Sequence, residues 1–254
     1  MKEHILVTLA KQQFLDSERV VVDFVDDPEI NAFINDLEHY PHAYVLGCLM
    51  DSQIKSERAF SIPWLVKEAI GSFSIDRLAE FSMEFYQDLF ISKSLHRFSN
   101  NKAKVFHAAI QRIVNDYDSD ASKIWANNPS SAAVVYRFLQ FHGCGIKIAN
   151  MATNILARQF KIPRSDHRLI DISPDVHIER VFKRVGLVTT DAPIEAIIDK
   201  ARKMNPEFPG VMDFICWEIG RQFCRPKNPL CDQCPIHSEC QYALANGGKS
   251  HYLN

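Results

Sequence analysis

The sequence predicts an all-α fold, and three observations carry that prediction. From Pro41 onward, apolar residues recur at helical spacing in one segment after another. The segments are separated by helix stops, among them Gly71, Ser74, the polar run Arg97 to Asn101 and Asn127-Asn128-Pro129. No run reads as a β-hairpin. With 254 residues and 46% apolar composition, the chain has enough apolar side chains for one good core or two modest ones, so two helical lobes are expected.

Taken in order, the first forty residues give the weakest pattern. Val20 to Val25 reads as a short strand or an extended arm, and Pro28 to Glu38 as an amphipathic helix. The apolar run His4 to Lys11 is too short and too polar for a signal peptide. His42 to Met50 is almost wholly apolar and predicts a largely buried helix ending near Asp51-Ser52-Gln53. Helices are expected around 56–70, 75–80, 82–91, 101–117 and 131–140, then over 148–156, 176–185, 193–204 and 209–222. There is no internal repeat or low-complexity tract.

The stretch that organises the chain is Phe141-His142-Gly143-Cys144-Gly145-Ile146-Lys147-Ile148-Ala149, a tight turn between two helices. Gly143 and Gly145 permit positive φ and close approach of another molecule, and they leave the first amides of the second helix outward. Such a helix start suits a phosphate. Net charge is only −2, which excludes a uniformly basic nucleic-acid binder, but the charge is uneven. Residues 1–40 carry three basic against nine acidic side chains, whereas residues 141–184 carry eight basic against four acidic. Lys147, Arg158, Lys161, Arg164, Arg168, Arg180, Lys183 and Arg184 therefore predict a local basic face, with solvated helix surfaces as the plainer alternative.

Four of the seven cysteines, Cys224, Cys231, Cys234 and Cys240, fall within seventeen residues. Crowding of this kind in a chain without a secretion signal argues for a metal site over disulfides, and for a reducing, cytoplasmic setting. Thiolate chemistry alone leaves zinc and an iron-sulfur cluster equally open. Cys48, Cys144 and Cys216 read as small buried apolar residues. No stretch reaches the ~18 apolar residues of a membrane span.

Three motifs stand in order: the hairpin with Lys147 two residues past its second glycine, the run Asp175-Val176-His177-Ile178-Glu179-Arg180-Val181, and the spacing Cys-x6-Cys-x2-Cys-x5-Cys. Together they resemble the endonuclease III family of DNA base-excision glycosylases. The resemblance implies a six-helix barrel over residues 38–160 containing the helix-hairpin-helix. It implies a cluster domain over 161–254, joined by the N-terminal segment 1–37, and a 4Fe-4S cluster on Cys224, Cys231, Cys234 and Cys240. Arg225 and Lys227 would present charge to DNA phosphates from the loop between the ligands. The expected partner is duplex DNA carrying a damaged base or an abasic site, the expected state a monomer.

By the same resemblance, Lys147 is the nucleophile of a bifunctional glycosylase and AP lyase, attacking C1′ and then cutting the strand by β-elimination. A helix N-terminus and burial in a DNA cleft both disfavour its ammonium form; without context it would be an ordinary surface lysine. Asp175 reads as a helix N-cap and, from its motif, as the carboxylate that stabilises oxocarbenium-like charge. Gln53 and Phe98 fall where the family fills the gap left by an extruded nucleotide, although Phe98 also fits core packing.

Two features depart from the family. The 160–174 connection is longer than usual, and either borders the substrate or bulges into solvent; Ser56 stands where a carboxylate is common. Oxidised pyrimidines are the first lesion to consider. The alternatives are a monofunctional glycosylase of the adenine-glycosylase type, a noncatalytic helix-hairpin-helix DNA binder, and a zinc-dependent module.

Overall fold

The computed structural model describes residues 3–16 and 18–246, so the extreme ends of the expected 1–37 and 161–254 segments lie outside the described residues. Among those residues the secondary structure is helical throughout: α1 (Ile5–Asp16), α2 (Pro28–Asn35), α3 (Pro41–Met50), α4 (Ser56–Ile70), α5 (Ile75–Ala79), α6 (Met83–Ser92), α7 (Ser99–Tyr117), α8 (Ser131–Leu139), α9 (Ile146–Arg158), α10 (Val176–Val185), α11 (Ile194–Met204), α12 (Met212–Gln222) and α13 (Gln241–Ala245), with short 3-10 turns between some of them. Two compact units divide the chain, one of Arg19–Ser165 and one of Met1–Glu18 with Asp166–Asn254.

In the unit Arg19–Ser165, α3 is the central helix. All ten of its residues are buried, and it packs against α2, α4, α7 and α9. A helix apolar on every face has to lie inside a bundle, which is why this segment reads so clearly in the sequence. Pro41 begins it at a position where no amide donor is required. Its one hydroxyl is provided for: Tyr44 Oη donates to Ala152 O of α9 at 2.7 Å. Truncating a side chain here, such as Leu46→Ala, removes apolar contact and leaves a cavity, a loss of ~2–5 kcal/mol.

The residues from Val20 to Val25 form no strand: Val20 to Asp23 are irregular, and Phe24 and Val25 lie in a bend where Phe24 N donates to Val22 O at 3.0 Å. Two buried asparagines of α2 take the place of a neighbouring strand. Asn35 accepts from Val22 N at 2.7 Å and donates to Val22 O at 2.9 Å, and Asn31 pairs in the same way with Val25 N and O at 3.0 and 2.8 Å. Each side chain supplies one donor and one acceptor, enough to satisfy one residue of backbone.

In the second unit, α12 packs against both α1 and α10, and α10 meets α13. The helix α1 was not foreseen, because its twelve residues carry neither an acidic first turn nor a basic last turn. It is anchored where Ile5 N donates to Glu239 Oε2 at 2.9 Å, just before Cys240, and where Gln13 Nε2 donates to Glu218 Oε2 at 3.1 Å. The end of the long connection does not bulge into solvent: Ile170, Asp171, Ile172 and Ser173 are buried. Arg202 grips the Asp171 carboxylate through two bonds of 2.6 and 2.7 Å, Gly210 N donates to Ile170 O at 2.7 Å, and Ser173 N to Asp213 Oδ1 at 2.9 Å.

Candidate functional site

The hairpin joins α8 to α9 in the unit Arg19–Ser165, and its two glycines differ. Gly143 has φ +76°, and a Cβ there would come 2.7 Å from Val105 Cγ2 of α7. Both the backbone conformation and the packing therefore demand glycine. Gly145 has an ordinary φ of −89°, and a Cβ would meet nothing within 4 Å. The expectation that both glycines adopt special backbone angles holds only for Gly143. At Gly145 no part of the unit asks for a missing side chain, and the open space lies over the start of α9, where no side chain caps the helix.

The pair yields a contrast. Gly143→Ala is expected to cost ~1–3 kcal/mol through the positive φ and the clash with Val105. Gly145→Ala is expected to melt close to wild type but to bind duplex DNA less tightly, because its methyl group occupies the approach to the free amides. Thermal melts together with a DNA titration of both variants check this.

Lys147 is the second residue of α9 and is exposed. The chain itself therefore supplies none of the burial anticipated for it. Cys144, expected to be buried, is only half-buried, although its thiol is pushed up to about 12, chiefly by desolvation. Gln53 lies exposed in the loop after α3 with φ +57°, an unusual angle for a residue with a side chain. Phe98 is the N-terminal flanking residue of α7 and is 41% exposed, with the Arg97 guanidinium over its ring. An aromatic ring so exposed is not a core residue. Ser56 is exposed at the first position of α4.

Asp175, in the other unit, caps α10. Its Oδ1 accepts from the amides of both His177 and Ile178 at 2.9 Å, so both cap bonds fall on one oxygen and Oδ2 stands outside the cap. The rest of its motif builds the scaffold behind it. Gly220 of α12 lies so close that a Cβ would sit 2.6 Å from His177 Cβ, which lets α10 and α12 pack closely. Arg180 donates to Val176 O, Gly220 O, Cys224 O and His177 Nδ1. Since a guanidinium can only donate, His177 Nδ1 is the acceptor in that contact.

The basic face predicted from composition is largely redistributed. Arg158 and Arg164 are buried, Arg168 pairs with Glu207 and Lys183 with Glu179. Arg184 donates to the carbonyls of Arg225 and Pro226 and to Cys224 Sγ, at 2.6, 3.0 and 3.5 Å. Arg180 and Arg184 thus hold the cysteine loop in place. Four residues apart on one helix they share a face, a spacing visible in the sequence. Arg225 and Lys227 remain exposed on the loop.

Cys224, Cys231, Cys234 and Cys240 line a single small cavity of about 20 Å³ together with Arg184, Ile219 and Tyr242. Among the described residues, no three side chains of His, Cys, Asp or Glu are drawn into a ready metal-binding set. The thiols nevertheless feel one another. Burial, and then the charge of the neighbouring thiolates, raises Cys231 and lifts Cys234 to about 11. Four soft donors around one cavity, two of them with ionisation opposed by burial and neighbouring charge, suit a bound cationic centre, which would reverse both effects. No helix among the described residues is long and apolar enough to cross a membrane.

No family model matches the chain. Among curated proteins it is 32% identical over 110 residues to endonuclease III of Thermotoga maritima, a match covering 43% of this chain and 46% of that protein. It is 23% identical over 228 residues to endonuclease III of Sulfolobus acidocaldarius, covering 87% and 92%. Apart from the latter, the chain spans about half to two thirds of the length of the curated relatives it matches, at most 65%. Among solved structures, a non-covalent endonuclease III-DNA complex superposes with a TM-score of 0.59 at 19% identity, covering 96% of both chains.

Proposed function

We propose that the chain is a member of the endonuclease III family, a reading its curated relatives and its fold support, and that it is a bifunctional DNA glycosylase and AP lyase of base-excision repair. Lys147 is the nucleophile, Asp175 the carboxylate that favours departure of the base, and duplex DNA with a damaged base or an abasic site the partner. The single observation that carries this reading is the start of α9: an exposed lysine in its first turn, beside amides that no side chain caps and a glycine whose missing Cβ faces open space. Phosphate can approach the backbone there, and the amine stands next to it.

The steps balance in atoms and charge. The neutral amine of Lys147 forms a bond to C1′ as the glycosidic bond breaks, and the base leaves with the bonding electrons and a proton. The sugar ring opens to give an imine. Loss of a C2′ proton then expels the 3′ phosphate by β-elimination. Desolvation of the amine comes from the bound duplex, since the unit leaves Lys147 exposed. Gln53 and Phe98, both exposed, fill the gap left by the extruded nucleotide. Oxidised pyrimidines are the lesions to try first. Duplexes with different single lesions, incubated with the protein and resolved into intact and cleaved strands, test the reading; no cleavage of any of them would overturn it.

The four cysteines would hold a 4Fe-4S cluster, whose role is to cross-link the loop that carries Arg225 and Lys227. The purified protein is expected to be yellow-brown from thiolate-to-iron charge transfer, with about four irons per chain. A colourless protein with stoichiometric zinc would refute the cluster assignment. Because the hairpin and loop meet phosphates, binding to undamaged duplex is expected to fall steeply with salt. Replacing Arg225 and Lys227 together by alanine should flatten that slope and leave lesion preference unchanged.

A further inference from the structure

We infer that His96 is a positioning residue that locks the two gap-filling side chains, Gln53 and Phe98, into one unit. The inference rests on the reading proposed above. His96 is 4% exposed and lies between the elements that carry those residues. Its Nε2 lies 3.2 Å from Met50 O, at the end of α3 and three residues before Gln53. Its Nδ1 accepts from Phe98 N at 3.0 Å. The two bonds fix the tautomer, with the proton on Nε2 and a lone pair on Nδ1. One neutral ring therefore bridges the segments bearing Gln53 and Phe98.

A second buried group reinforces the strut. Lys102, four residues beyond Phe98 on α7 and also 4% exposed, donates through Nζ to Leu49 O at 2.7 Å. The carbonyls of Leu49 and Met50, which have no partner within α3 at its end, are thus both met from the segment 96–102. Beyond them the chain turns sharply: Ser52 N donates to Met50 O at 2.8 Å, and Gln53 takes φ +57°. A strained angle of this kind persists only where the surroundings hold it. Elsewhere in the same segment, Ser99 Oγ closes onto His96 O at 2.7 Å. The arrangement is far more constrained than an exposed loop requires, and both residues it constrains project into solvent.

The arrangement has a purpose if the extruded nucleotide is to be kept out of the stack. Two side chains inserted into one gap must keep a fixed spacing, and independent loops would lose it. The charged groups facing His96 are Lys102 of α7 and Arg58 of α4; burial first, and then these two cations, disfavour the protonated ring.

A duplex carrying a tetrahydrofuran abasic analogue opposite 2-aminopurine reports gap filling as a fluorescence change at saturating protein, with no turnover needed. His96→Gln keeps a donor for Met50 O but loses the acceptor for Phe98 N; His96→Asn does the reverse. Both are expected to lower the signal about fivefold, as expected for a broken coupling, while DNA affinity stays near wild type. Wild-type protein supplies a readout free of variants. Protonation puts a hydrogen on Nδ1 facing the Phe98 amide, so the signal should collapse on acidification, at a pH below the ordinary histidine range, while far-UV circular dichroism is unchanged. Full signal in either folded variant, or a signal flat with pH until the fold is lost, would overturn the inference. A Lys147-dependent covalent adduct formed by the His96 variants would show that the repair reading survives when the strut fails; an adduct missing in wild type would sink the repair reading instead.

Discussion

Lys147→Gln is expected to abolish strand cleavage and covalent trapping while leaving the protein folded and bound to DNA. In the wild type, borohydride added during turnover is expected to reduce an imine between Lys147 and C1′ to a stable amine, which should migrate as a protein-DNA adduct. Glutamine keeps the length and polarity of the side chain but has no nucleophilic nitrogen. Removing the nucleophile of a catalytic unit commonly lowers the rate by on the order of 10⁴ to 10⁶. The fold has little stake in the change: Lys147 is exposed, and its side chain makes no hydrogen bond or ion pair among the described residues. Surface substitutions of that kind shift stability by about 0.5 kcal/mol or less. Binding should persist, since on the proposed reading the phosphate contacts fall to the backbone amides beyond Gly145. An undiminished adduct with Lys147→Gln would mean that another amine attacks, and Lys161 and Lys227 would be the next to replace.

What the sequence revealed, and what it hid, follows from where each signal is written. The hairpin, α3 and α10 could be read directly because glycine, an all-apolar run and an N-capping aspartate are local signals. The endpoints of α10, Val176 and Val185, coincide with those expected. The role of the basic residues could not be read, because counting charge along the chain does not say which way a guanidinium turns. Arg180 and Arg184 count as positive surface in the sequence, yet in the structure they are hydrogen-bond donors to the carbonyls of the cysteine loop. His96 and Lys102 were missed for a related reason. Each looks like an ordinary polar residue beside a helix start, and only the path of α3 brings the carbonyls of Leu49 and Met50 to them. The irregular segment at Val20 to Val25 was ambiguous because its partners are two asparagine side chains, and among the described residues no neighbouring strand exists to be found by periodicity.

Asp175→Asn is expected to lower base excision by about 10² to 10³, equivalent to ~2.7–4 kcal/mol of lost transition-state stabilisation, and to leave stability nearly unchanged. The two effects separate because the cap uses a single oxygen. Asparagine offers an Oδ1 that can accept from His177 and Ile178 as Asp175 does, and it ranks beside aspartate as a helix cap. What it deletes is the negative charge, and with it the Oδ2 lone pairs outside the cap. The helix loses a favourable charge at its N-terminus, worth ~0.3–1 kcal/mol, and a melt should show no more than that. Asp175→Ala removes cap and charge together and should cost a further ~0.5–2 kcal/mol in stability. Single-turnover excision of a damaged base and cleavage of a preformed abasic site, measured side by side, complete the test. Excision requires charge to develop on the sugar as the base departs, whereas an abasic site has no base to expel, so Asp175→Asn should slow the first step far more than the second. If both activities instead follow the melting temperature across the asparagine and alanine variants, Asp175 is a cap and the carboxylate that assists base departure lies elsewhere.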